Sequence, residues 1–219
     1  MFDRIVCLNV DKRFSQRERL KREFDNVGLN IEFFLAGNGS LEEKYDHIDI
    51  DPDHGRTGYT YWVERPNSYN AFLCFKKIIR LAKQDGLNNV VLVEDDCTIL
   101  PCFKDVFPLV VEELNSLQNW SMLYLCANHT YCKTMQLSPH ILKVKGSGGF
   151  QFVMIKKNLF DPILNLKLNG PIDEQVAIHI HPVYNCYATW PNLAIPLPGY
   201  SYCEGHSYDN TKLYNNKGC

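Results

Sequence analysis

Apolar residues fall in two alternating rhythms along this chain. Short, mostly apolar runs read as strands: Ile5 to Val10, Asn30 to Ala36, Val90 to Val93, Ser121 to Ala127, a stretch within Lys143 to Ile155, and Val183 to Trp190; of these Val90 to Val93 is unbroken and suits a strand buried on both faces. Between them, apolar residues recur every three or four positions, as on the buried face of a helix. Leu20, Phe24 and Val27 stripe a helix predicted from about Arg17 to Val27, with a Ser15–Glu18 capping box before it and Gly28 after it. Phe72, Phe75, Ile78, Ile79 and Ala82 stripe a second, running from the cap Ser68 to about Lys83 and ended by Gly86. A third is predicted near Asp105 to Leu117, with Asp105 as cap and Pro108 in its first turn. A fourth runs from about Lys157 to Leu166, and Pro171 opens a fifth. With no internal repeat and no linker, this alternation predicts one α/β domain over 1–219, irregular from about 191 to 219.

The run Val90 to Val93 ends in Glu94, Asp95 and Asp96. Three adjacent carboxylates repel one another, so the end of a buried strand suits them only beside a cation. Ligands bind at the edge where strands leave an α/β sheet. Hard Mg²⁺ or Mn²⁺ prefers oxygen and commonly bridges one or two carboxylates to phosphates. The plainer alternative is an acidic loop leading to the next helix. Further on, GSGGF places Gly146, Gly148 and Gly149 where a backbone can approach a ligand closely. It lacks the GK[ST] ending of a phosphate loop. Asp173 and Glu174 follow Pro171, where acidic residues also suit the helix dipole.

Composition changes the picture little. Apolar and charged fractions of 45% and 22% are those of an ordinary globular chain, and a net charge of −2 signals neither nucleic acid nor membrane. No run of about 18 apolar residues exists. The opening MFDRIVCLNV reads as a first strand, not an export signal. Without such a signal, the nine cysteines are expected as reduced thiols in a cytosol-like compartment. Cys126, His129 and Cys132 look ligand-like, with Cys97 and Cys102 near, but no CxxC pair supports zinc. Asp49, Asp51 and Asp53 mimic a calcium loop, yet Gly55 comes one place late and no glutamate closes it. Tyr59, Tyr61 and Trp62 on the same loop either stack on a sugar or base, or cover the core.

Four local patterns carry a family resemblance. They are IVCLNVDKRFSQRERLKREF with FFLAGNGS; SYNAFLCFKKIIRLAKQDGLNNVVLVEDDC; GSGGFQFVMIKKNLFDPIL; and PIDEQVAI. In this order, over about residues 4 to 180, the chain resembles glycosyltransferase family 25, the lipooligosaccharide-type transferases. It also looks like related viral enzymes that glucosylate hydroxymethyluracil in DNA, functional cousins of the base J glucosyltransferase. The resemblance implies a GT-A fold: a Rossmann-like, mixed and mostly parallel sheet flanked by helices. It implies a nucleotide-sugar donor, with UDP-glucose the default, and Mn²⁺ or Mg²⁺ on a D-x-D-type motif. Asp96 would bind the metal directly, with Asp95 beside it and His206 or His181 as the remaining ligand. Glu94 or Asp95 would meet the ribose or a metal-bound water. Asn9, Asp11 and Arg13 would meet the nucleotide, Arg17 its phosphates, and Gly148 and Gly149 the donor. Asp173 would be the base of an inverting transfer, with Glu174 second. The C-terminus departs from the lipooligosaccharide members, whose last motif has no clear match here.

For the acceptor, Lys12 to Arg22 and Lys76 to Lys83 offer two basic patches, and phosphate binding needs local patches rather than net charge. With the aromatic loop, they favour a hydroxymethylated pyrimidine in DNA, drawn out of the duplex. A lipooligosaccharide or other surface glycan is the alternative. A non-catalytic nucleotide-sugar or glycan-binding module is the alternative of another class. The compartment expected is cytoplasmic, that of the host if the chain is viral.

Overall fold

The structure, a computed structural model, describes residues 1–36, 66–129, 134–167, 170–201, 203 and 205–214. The aspartates before Gly55, the aromatics Tyr59 to Trp62, and Cys132 lie outside them. Among the described residues twelve strands are formed: β1 (Ile5–Val10), β2 (Glu32–Ala36), β3 (Asn89–Glu94), β4 (Cys97–Ile99), β5 (Trp120–Asn128), β6 (Met135–Ser138), β7 (Ile141–Lys143), β8 (Gly148–Lys156), β9 (Asn185–Thr189), β10 (Ala194–Pro196), β11 (Gly199–Ser201) and β12 (His206–Tyr208). Among the same residues five α-helices accompany them: α1 (Phe14–Asn26), α2 (Pro66–Gln84), α3 (Phe103–Ser116), α4 (Phe160–Leu164) and α5 (Ile172–His179).

Eight strands make one mixed sheet in the order β2-β1-β3-β8-β5-β9-β7-β6. β1 is parallel to β2 on one side and to β3 on the other. β8 runs antiparallel between β3 and β5, and β9 returns parallel to β5. The β6–β7 hairpin then extends the sheet beyond β9.

The sheet is covered on both faces, which explains the unbroken apolar runs. Successive side chains of a strand point to opposite faces. Accordingly Val90 and Leu92 join Phe72, Phe75 and Ile79 of α2, Phe160 of α4 and Val176 of α5. Val91 and Val93 join Leu20 and Phe24 of α1 and Val110 and Leu114 of α3. Each such fully buried side chain contributes roughly 1.5–3 kcal/mol, so the striped helices are held mainly by the sheet beneath them.

Several boundaries differ from the sequence reading. α1 begins at Phe14 after Arg13, with no side-chain cap; the Ser15 hydroxyl pairs with Gln16 Oε1, so the capping box is not formed. α3 begins at Phe103, which puts Asp105 in its first turn and Pro108 inside the helix. The segment after 191 is more regular than expected: β10 pairs with β4, β11 with β12, and a 3₁₀ turn spans Thr211–Tyr214. Cys102 is disulfide-bonded, which corrects the expectation of nine reduced thiols. Among the described residues, no helix is long and apolar enough to cross a membrane.

Candidate active site

The topology brings the sequence motifs to one edge. β1 and β3 are parallel and end in Val10 and Glu94. β8 is antiparallel to β3, so its first residues, Gly148 and Gly149, lie at that same edge. β5 is antiparallel to β8, so its end at Asn128 lies there too. The chain leaves β1 toward β2 on one side while β3 sits on the other. This is the switch point at which open α/β sheets bind ligands. A cavity of about 1040 Å³ opens there, and its walls include Arg13, Glu94, Asp96, Gly149, Asp173 and His206.

The turn after β3 is clamped by α1. Asp95, 6% exposed, accepts from Asn9 Nδ2 at 2.8 Å and from Arg13 at 2.6 Å, one on each oxygen. Arg19 donates to the Asp95 carbonyl at 3.0 Å and pairs with Glu23 at 2.7 Å. Glu23 in turn accepts from the Thr98 hydroxyl and the Ile99 N–H. Asn9 and Arg13 thus hold Asp95, and Asp95 orients the turn. Asp11 is exposed and lies 3.8 Å from Arg17, whose guanidinium stands over Phe14; neither Asp11 nor Arg17 lines the cavity.

Glu94 and Asp96 are left facing the cavity. Burial, then Asp96, Asp173 and Asp95, push the Glu94 carboxyl well above the usual range. Burial, then Asp95, raises Asp96 to about 6. Asp96 Oδ1 is buried with no hydrogen-bond partner. Charge repulsion and an orphaned oxygen fit a hard cation, which one or two carboxylates hold together with phosphate oxygens. Among the described residues, no three His, Cys, Asp or Glu side chains are grouped to hold a metal. His206 lines the cavity and packs edge-on against Tyr208, but it is not grouped with Asp95 and Asp96 in that way. His181 is structural: it accepts from the Gly146 N–H at 3.0 Å, so Nε2 carries the proton toward Tyr124 Oη at 2.9 Å. Cys126 is a thiol buried in the sheet.

The glycine stretch is fixed by side chains from several elements. Gly146 bonds His181, Ser147 bonds His129, and the Gly149 N–H donates to Asp173 Oδ2 at 3.0 Å. A Cβ on Gly148 would lie 3.3 Å from Asp173 Oδ2. Gly149 has a φ of +97°, and a Cβ there would lie 2.4 Å from Gln151 Oε1. The close approach these glycines permit is therefore by protein side chains. Asp173 and Glu174 sit in the first turn of α5 and line the cavity, with Asp173 tied to β8 through Gly149.

Sequence reasoning missed Gln151, Arg19 and Glu23. The last two carry an i,i+4 charge signal, and Gln151 is a polar residue inside an apolar strand. Both basic patches are divided: some cations are used inside the fold, while Lys12, Lys21, Arg22, Lys77, Arg80 and Lys83 are exposed. Arg13 and Arg19 hold the acidic turn. Lys76 donates to the Leu166 carbonyl at 2.6 Å, and burial lowers it to about 8. Lys83 pairs with Asp161, and Lys77 stands over Phe34.

No protein-family model matches the chain. A glycosyltransferase 25 family member of Aedes aegypti is 24% identical over 136 residues, covering 55% of this chain and 20% of the relative. One of Anopheles gambiae is 26% identical over 131 residues, covering 55% and 21%. The chain therefore spans about one fifth of the length of these relatives. Among solved structures, a glycosyltransferase involved in the glycosylation of the major capsid of PBCV-1 aligns with a TM-score of 0.49 at 11% identity, covering 92% of this chain and 96% of that one. A UDP-glucose pyrophosphorylase complexed with UDP-glucose aligns with a TM-score of 0.48 at 10% identity, covering 86% and 90%. What the chain has in common with known proteins is thus a low-identity similarity, over just over half its length, to proteins of glycosyltransferase family 25.

Proposed function

We propose that this chain is a GT-A-type, inverting glycosyltransferase that moves a hexose from a nucleotide diphosphate sugar, with UDP-glucose the first donor to try, to an acceptor hydroxyl. The observation that carries the reading is the pairing, across one switch-point cavity, of two under-solvated carboxylates, Glu94 and Asp96, with the acid Asp173. The names of the insect relatives support the reaction class. Glu94 and Asp96 would hold Mn²⁺ or Mg²⁺, which supplies charge stabilisation for a leaving diphosphate. The chain's own residues do the rest. Arg13, Asn9 and Arg19 keep the acidic turn in place through Asp95. Asp173, held through one oxygen by Gly149, takes the proton from the acceptor hydroxyl as that oxygen bonds to the sugar C1. The C1–O bond to the diphosphate breaks with inversion, and the electron pair leaves with the diphosphate.

For the acceptor, the internal use of Arg13, Arg19 and Lys76 removes part of the charge that a duplex would need. We therefore place a neutral hydroxyl, as on a glycan, ahead of hydroxymethyluracil in DNA. The test is a radiolabelled UDP-glucose assay with Mn²⁺ on a glycan extract, hydroxymethyluracil DNA and plain DNA, using wild type and Asp96→Ala. Label on the glycan, lost in the variant, is the expected result. Label on modified DNA alone would reverse the acceptor order. Binding of the nucleotide sugar without transfer or hydrolysis would leave a binding module instead.

A further inference from the structure

Glu94 has a support that reaches it from the far end of the chain. Gln151 Nε2 donates to Glu94 Oε2 at 3.0 Å. An amide can turn over and present its oxygen instead, which would repel the carboxylate. Tyr214 opposes that turn, because its hydroxyl donates to Gln151 Oε1 at 2.9 Å. Tyr214 is 6% exposed and belongs to the core cluster that includes Cys126 and Leu193, so its ring has little freedom. Gly149 makes room for this contact: a Cβ there would come within 2.9 Å of the Tyr214 hydroxyl. The same Gly149 donates its N–H to Asp173. One chain of contacts therefore links the 3₁₀ turn Thr211–Tyr214, the strand β8, the cation-side acid and the acceptor-side acid.

We propose that Tyr214 and Gln151 are positioning residues that set the Glu94 carboxylate for a divalent cation, so that the C-terminal segment completes the site. The inference rests on the reading of Glu94 and Asp96 as cation ligands. It differs from simple core packing in one atom, the tyrosine hydroxyl, and Tyr214→Phe removes that atom while keeping the ring. Gln151→Leu removes the next link.

The test is Mn²⁺ affinity, followed by electron paramagnetic resonance and without any substrate. It is run on wild type, Tyr214→Phe, Gln151→Leu and the double variant, with thermal midpoints alongside. Tyr214→Phe should weaken Mn²⁺ binding about tenfold with a midpoint within about 3 °C of wild type. Gln151→Leu should weaken it at least as much, and the double variant no more than Gln151→Leu alone, because both act through one path. Wild-type affinity in Tyr214→Phe, or losses that add, would overturn the positioning role while leaving the cation reading intact. Wild type without Mn²⁺ affinity would overturn the cation reading and the inference with it. Should Gln151→Leu fail to fold, Tyr214→Phe alone decides.

Discussion

Glu113 and Glu94 are the same side chain in opposite circumstances. Glu113, on α3, meets the β6–β7 hairpin: Oε2 accepts from the Ser138 hydroxyl and from the His140 N–H at 3.0 Å, and Oε1 faces His140 Nδ1 at 2.6 Å. Burial alone would raise its pKa, but the bonds from Ser138 and His140 bring it below the usual range. Glu94 has Gln151 as a donor and faces Asp96, Asp173 and Asp95, so burial and like charge raise it. Where the fold uses a carboxylate for structure, it surrounds the group with donors. Where Glu94 and Asp96 share a cavity and like charge raises both, the pair is a candidate for holding a ligand, which is the reading proposed above. The hairpin contact thus uses a charge to hold the fold, whereas the switch-point cavity gathers the charges proposed to serve chemistry.

The sharpest way to break this contrast is at the proposed catalytic acid. Asp173→Asn should cut turnover about 10²–10⁴-fold, the usual range for a lost general base. The donor KM should change little, because Asp173 is tied to β8 rather than to the acidic turn. Steady-state kinetics with varied donor checks both. An unchanged turnover would return Asp173 to the role of a helix-terminus acid. Asp96→Asn comes next, with a loss of about 10²–10³-fold. Its thermal midpoint should hold or rise, since the change removes a charge beside Asp95 and relieves an unpartnered oxygen. A falling midpoint with intact activity would make Asp96 structural, and the contrast with Glu113 would fail.

Histidines extend the comparison to pH. His140 has a carboxylate partner, whereas His181 is 2% exposed and bonded to the Tyr124 hydroxyl and the Gly146 N–H. Burial lowers His181 to about 4. In the unfolded chain it titrates near 6.5. Between these values the unfolded chain takes up a proton that the folded chain refuses. Stability is complete above about 6.5 and lost as pH falls toward 4, by about 3 kcal/mol. Urea unfolding at several pH values should give a slope over this window that flattens in His181→Gln. An unchanged slope would place the proton elsewhere.

How much of this was legible depends on which contacts are local. The strands buried on both faces are visible in Val90 to Val93 and Ser121 to Ala127, because a two-sided core leaves no polar alternation. The β6–β7 hairpin is not, because Met135–Ser138 is an edge strand that is mostly exposed, and Ile141–Lys143 is only three residues long. In the site, the acidic turn, the glycine stretch and the acid after Pro171 could be set at one edge from their order along the chain. The role of Arg13 could not, since its contact with Asp95 spans 82 positions. The same holds for Tyr214 and Gln151, 63 positions apart and individually indistinguishable from core residues. The inward turn of Lys76 was not legible either, because a long apolar stem lets a charged head reach an internal partner, here the Leu166 carbonyl, while Lys77 and Lys83 of the same helix stay exposed.

The smallest effect tests the other half of the contrast. Glu113→Gln keeps the shape of the side chain and one acceptor oxygen, but removes the charge that draws three donors together. Hydrogen bonds to a charged group are worth about 1.5–3 kcal/mol, and part of that survives in the amide. The expected loss is about 1–2 kcal/mol at pH 7, read by urea unfolding, with turnover unchanged because α3 contributes nothing to the cavity walls. The folded pKa of Glu113 lies below its unfolded value. Its contribution is therefore present above the unfolded value and disappears as pH falls through the folded one. Wild type and variant should converge in stability once the pH lies below that folded value. A Glu113→Gln protein that folds as well as wild type but turns over slowly would mean that the hairpin also serves the chemistry, and the division between the two regions would have to be given up.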